Sequence, residues 1–147
     1  MSGAPDEPRG AEERDGADLR FVEPLPGLGG HTRFRLTPLP GAPGLHALRA
    51  VTDDGDGPRL FVADAPALRL GYEPDLPAFA CERLGGGDAS SLRVLVVLHP
   101  ADENGPLTAN LFAPIVVDPA TGAALQVLLE GSPWPLRLPL IDEGRAS

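Results

Sequence analysis

Between Leu107 and Gly131 two apolar runs flank the five residues Asp118-Pro-Ala-Thr-Gly122. No other feature constrains the fold of this chain as strongly. Asp, Pro and a late Gly are the residues that a type I turn with a bulged glycine requires, because its last position takes a positive φ. The spacing therefore predicts a long β-hairpin. On its first arm the odd positions Leu107, Ala109, Leu111, Ala113, Ile115 and Val117 are all apolar. The even positions Thr108, Asn110, Phe112, Pro114, Val116 and Asp118 are mixed. Successive side chains of a strand point to opposite faces, so the odd set is expected in the core and the even set on an outward strip. Pro114 cannot donate a ladder hydrogen bond, which places it at an edge or a bulge. On the return arm Leu125, Val127 and Leu129 are expected inward.

The same period of two recurs upstream. "HTRFRLTP" puts Phe34, Leu36 and Pro38 on one side and His31, Arg33, Arg35 and Thr37 on the other, as in a half-buried strand. "LHALRAV" and "RLFVAD" read as two more strands, split by "TDDGDGP". "SLRVLVVLH" is apolar on both faces and reads as a central strand. "EPLPGLGG" reads as a turn, with Pro26-Gly27 suited to its centre, and "PLPGAPG" as a loop. "DLPAFACERLGGG" is the one helix, with Asp75 as its N-cap and Gly85 as its stop. About seven short strands and one helix predict an all-β fold, a compact antiparallel β-barrel-like domain. Its expected bounds are residues 19–141. An acidic, Pro/Gly-rich stretch with the composition of a disordered tail precedes it at 1–18, and a flexible C-terminus follows at 142–147.

Charge narrows the partners. The net charge is −9, the isoelectric point is near 4.6, and all 12 basic residues are arginine. A protein that grips phosphates needs a basic stripe, and none is visible, so direct nucleic-acid binding is not expected. A basic protein partner suits the field better. The single cysteine, Cys81, allows no internal disulfide and fits a reducing compartment. The first residues have no apolar run like a signal peptide, and "VLVVLH" is too short to cross a bilayer. A cytoplasmic protein without membrane contact is expected.

No catalytic or metal pattern stands out. His31, His46 and His99 fall in no metal-ligand spacing, and "DDGDG" at 53–57 fails the calcium-loop register at Gly55 and Pro58. Ser132 lies in a turn, and Cys81 beside Phe79 reads as a buried, inert thiol. "GLGG" and "LGGG" lack the continuation of a phosphate cradle. No metal and no cofactor are expected. Trp134 between two prolines is either a core residue over a barrel end or an exposed recognition anchor, and Tyr72 and Phe112 share that ambiguity. Asn110 either bonds local backbone or meets a partner.

The order of segments resembles the flagellar assembly factor FliW family. The matching pieces are "FVEPLPGL" (Phe21–Leu28), "LRAVTDDGDGPRLFVADAP" (Leu48–Pro66) with Tyr72 after it, and "VLVVL". "TANLFAPIVVDPATGAALQVLLEGS" (Thr108–Ser132) and "LRLPL" (Leu136–Leu140) complete the set. Where family members often open with an extra strand, this chain carries its acidic tail. The resemblance implies a barrel-like fold without catalysis and a binding switch with two protein partners. One is a CsrA-like translational regulator, an RNA-binding repressor that the FliW-like protein sequesters. The other is flagellin, whose binding releases that repressor. On this reading the protein is a monomer when free. The expected partner-binding residues are Asn110, Phe112 and Pro114 on the outward strip, with Tyr72 and the acidic loops Asp53, Asp54, Asp56, Asp102 and Glu103 flanking it. The alternative is a small-ligand-binding or hydrolytic β-barrel, in which a deep polar pocket would join His31 or His99 to an acid.

Overall fold

The alternating segments form eight strands: β1 (Ala17–Phe21), β2 (Arg33–Pro38), β3 (Leu45–Ala50), β4 (Arg59–Asp64), β5 (Arg93–His99), β6 (Thr108–Val117), β7 (Ala123–Gln126) and β8 (Leu138–Pro139). A 3-10 turn (Ala65–Leu68) and one α-helix, α1 (Ala78–Arg83), complete the elements. The computed structural model describes residues 16–25, 28–53, 57–68, 72, 74–85, 91–99 and 107–140. The Pro26-Gly27 turn, most of the acidic tail and the segment from 141 onward lie outside the described residues.

From β1 to β7 each strand pairs antiparallel with its successor. The sheet then closes on itself, because β1 also runs parallel to β7 through Arg20↔Ala123 and Phe21↔Ala124. The result is a closed seven-stranded barrel, with β8 added to the N-terminal half of β6. Closure removes the open edges that would otherwise invite pairing with other chains. β1 starts at Ala17, inside the stretch that composition assigns to the tail. A strand therefore opens the barrel where the sequence leads one to expect the end of an acidic tail.

The barrel interior is filled with apolar side chains. Phe34, Leu36, Leu48, Val62, Leu95 and Ile115 are almost wholly buried there, and Phe21 meets Phe34 edge-on at 5.2 Å. A second apolar layer lies outside the barrel wall. Val96, Leu98, Ala109 and Leu111 are covered by Leu68, Trp134 and Leu138. Val116, Leu125, Val127 and Leu129 pack beneath Ala80 and Leu84 around α1. This is why β5 is apolar on both faces. It also corrects the expectation for the hairpin: Leu125, Val127 and Leu129 are buried, but under the helix rather than in the barrel.

Two local expectations come out differently. Asp75 does not cap α1. Pro77 holds the cap position with extended backbone (φ −66°, ψ 151°) and there is no side-chain cap bond. Gly85 ends the helix as expected, at φ +114°. The hairpin turn follows its residues closely: Gly122 takes φ +82°, and its N–H donates to the Asp118 carbonyl at 2.8 Å. No helix among the described residues is long and apolar enough to cross a membrane.

Candidate functional site

The most irregular part of the barrel is the middle of β6. Against β5, Leu95 pairs with Ile115 and Val97 pairs with Asn110, so β5 advances two residues while β6 advances five. Three extra residues are looped into β6. Because that number is odd, alternation reverses across the bulge. Ile115 and Val117 point into the barrel, whereas Ala109 and Leu111 point to the outer layer. Three polar side chains satisfy the backbone freed by the bulge. Asn110 Oδ1 accepts from the N–H groups of Phe112 (3.1 Å) and Ala113 (3.0 Å). Gln126 Nε2 donates to the Ala113 carbonyl at 3.1 Å. The Tyr72 hydroxyl donates to the Leu111 carbonyl at 2.6 Å, and burial pushes this phenol well above the ordinary tyrosine range.

At one end of the barrel His46, Asp64 and Arg93 meet. Alternation from Leu48, Val62 and Leu95 turns all three toward the barrel axis. Arg93 Nε and Nη2 donate to the two Asp64 oxygens at 2.8 and 3.2 Å, and His46 Nε2 lies 3.0 Å from Asp64 Oδ2. Arg93 Nη2 lies 3.2 Å from the same ring nitrogen, and with a proton on Nε2 the ring donates to the carboxylate. Burial alone would raise the Asp64 pKa, but hydrogen bonds from Arg93 and then His46, with their charges, outweigh it and hold the carboxyl below its ordinary 3.8. A depressed carboxylate pKa stabilises the fold above the unfolded value and loses that contribution as pH falls through the folded one. Acidification below about pH 4 is therefore expected to weaken the native chain more steeply than an Asp64→Asn variant. Urea midpoints at neutral pH and at about pH 3 measure the difference.

A groove of about 630 Å³ opens on the outer layer between α1 and the segment that follows β7. Phe79 and Leu128 form apolar parts of its wall although they are 50% and 54% exposed. Trp134 lines it too, held from behind by an edge-on contact with Tyr72 at 4.7 Å. Trp134 is half-buried: one part packs in the outer layer and another lines open space. Among the described residues of the lining the two charged ones, Asp75 and Glu130, are both acidic.

Comparison with known proteins places this architecture. A sequence model of the FliW protein family matches residues 9–140. The chain belongs to the FliW family. The flagellar assembly factor FliW of Moorella thermoacetica is 33% identical over 126 residues, which cover 85% of this chain and 78% of that one. Its counterpart in Geotalea uraniireducens is 36% identical over 89 residues, 59% of this chain and 55% of that one. A crystal structure of a flagellar assembly factor FliW superposes with a TM-score of 0.73 at 25% identity, over 88% of each chain.

In this FliW chain the motif behind the resemblance is largely architectural. Asn110 is 9% exposed and Pro114 is buried within the bulge, so the expected outward strip is corrected at both positions. The reason is physical: both faces of β6 are covered, by the barrel interior and by the outer layer. Phe112 is half-buried, and Tyr72 serves the bulge with its hydroxyl. Asp53 is exposed, while Asp54, Asp56, Asp102 and Glu103 lie outside the described residues. Cys81 is half-buried rather than buried. Of the histidines it is His46 that meets an acid; among the described residues His31 and His99 bond none. The groove residues Phe79, Leu128 and Glu130 escaped the sequence reading. The expected burial of Leu125, Val127 and Leu129 already implied that Leu128 faces out.

Proposed function

We propose that this protein is a non-catalytic, protein-binding regulator of flagellar assembly that acts in the cytoplasm. It sequesters an RNA-binding translational repressor of the CsrA type and binds flagellin. When free flagellin accumulates, it occupies the regulator and releases the repressor, and when flagellin is scarce the repressor stays bound. Such competition is linkage between binding equilibria and requires no bond chemistry. The observation that carries this reading is the family match across residues 9–140. Two physical features support it. The net charge of −9 favours a basic, RNA-binding partner and disfavours RNA itself. The barrel interior is filled by side chains, leaving the outer surface as the place for recognition.

The test is size-exclusion chromatography of the protein mixed separately with a CsrA-type repressor and with flagellin. Each mixture is expected to elute as a complex ahead of its components, and the free protein as a monomer. Elution of both mixtures as separate components would overturn the assignment.

A further inference from the structure

We propose that the groove beside α1 is a docking site for a basic amphipathic segment of a partner protein. A large apolar side chain of that segment enters between Phe79, Leu128 and Trp134, and flanking Lys or Arg residues face Asp75 and Glu130. This deepens the protein-binding reading by naming the surface and the chemistry of what it takes.

The argument starts from exposure. A leucine and a phenylalanine each left about half exposed cost hydration free energy that a bound apolar side chain recovers. Both line one concave site, unlike apolar residues scattered singly over a surface, which need no explanation. Trp134 adds the amphipathic aromatic wall that interface anchors favour. It is also held in place before binding by Tyr72, so little ordering is required of it.

Charge selects the occupant. Among the described residues, both ionisable groups of the lining are carboxylates and no arginine lines the groove. The chain's own residues 1–15 are a poor occupant, because Asp6, Glu7, Glu12, Glu13 and Asp15 outnumber Arg9 and Arg14. A second copy is disfavoured for the same reason: a two-fold contact sets like against like, bringing these acids together. A segment with Lys or Arg beside an apolar residue satisfies both walls at once.

The test uses Trp134, the chain's one tryptophan, as the reporter. The full chain is titrated with a tryptophan-free Lys/Leu amphipathic peptide and, separately, with its Glu/Leu counterpart, following tryptophan fluorescence. The Lys/Leu peptide is expected to give a saturable change, weakened at least about tenfold in Leu128→Ser and in Glu130→Lys. The Glu/Leu peptide is expected to give none. Both substituted side chains are exposed, and unchanged thermal unfolding verifies that each variant is folded. A response equal for both peptides, absent for both, or unaltered in both variants would overturn the proposal. The outcome is separable from the chromatography. Peptide docking without a complex refutes the named partners and keeps the groove, whereas complexes that survive both substitutions refute the groove and keep the partners.

Discussion

A Gly122→Val chain should be less stable by about 3–5 kcal/mol, among the larger effects a single substitution can have. Two causes combine at this position. Gly122 takes φ +82°, where an L side chain costs about 1–2 kcal/mol and a β-branched one more. A Cβ there would also lie 2.6 Å from the Asp18 carbonyl oxygen of β1. That atom is backbone and cannot swing aside, so β1 must draw away from β7. The bond from the Arg20 N–H to the Gly122 carbonyl, 2.8 Å, is lost with it. Gly131 supplies the control, since it has the same φ of +82° and nothing within 4 Å of a built Cβ. Gly131→Val should cost the backbone strain of a β-branched residue at this φ but not the clash. Urea unfolding of the two variants separates strain from clash, and equal losses would show that the β1–β7 contact contributes little.

Asn110→Ala should cost about 2–4 kcal/mol, because two backbone N–H groups lose their acceptor together. One of them belongs to the buried Ala113, where water cannot substitute freely. Gln126→Ala offers a graded comparison. It frees a single carbonyl, and unpaired carbonyls are tolerated better than unpaired N–H groups, so about 1 kcal/mol is expected. Denaturant midpoints give the ranking. If Asn110→Ala fell within the range of a neutral surface change, the bulge would have to be held by β7 and Tyr72 instead.

Most of the strand plan is legible in the sequence. Alternation located β2 to β6, and Asp118 to Gly122 announced the hairpin turn because their conformational needs are local. The two-sided hydrophobicity of β5 correctly pointed to a strand covered on both faces. β6 was harder, since alternation loses its meaning where both faces are buried. The odd positions Ala109 and Ile115 are both core residues, yet they belong to different cores on opposite sides of the wall. An odd insertion made that switch, and Asn110 was visible only as a residue that often bonds nearby backbone. The His46–Asp64–Arg93 cluster unites three strands and leaves no spacing motif. Its members could be placed on one face by parity, but not in contact. The groove depends on how α1 settles against the chain after β7, which is a tertiary matter. Asp75 illustrates the same limit, because its type suits a cap while the helix starts two residues further on, with Pro77 in the cap position.

Six of the seven barrel seams join strands that are neighbours in the chain, and the seventh joins Arg20 to Ala123. During synthesis five of these six seams can therefore form across brief connections as each strand leaves the ribosome, whereas β4 and β5 must close the longer connection that carries α1. The last seam must wait for β7. Until then the growing sheet carries two bare edges, β1 on one side and β6 on the other, each able to pair with a neighbouring nascent chain. The interval between the emergence of Val117 and that of Ala124 is thus the moment when this chain is most open to misassembly. The tight Asp118–Gly122 turn keeps it short by delivering β7 to the gap almost as soon as it is made.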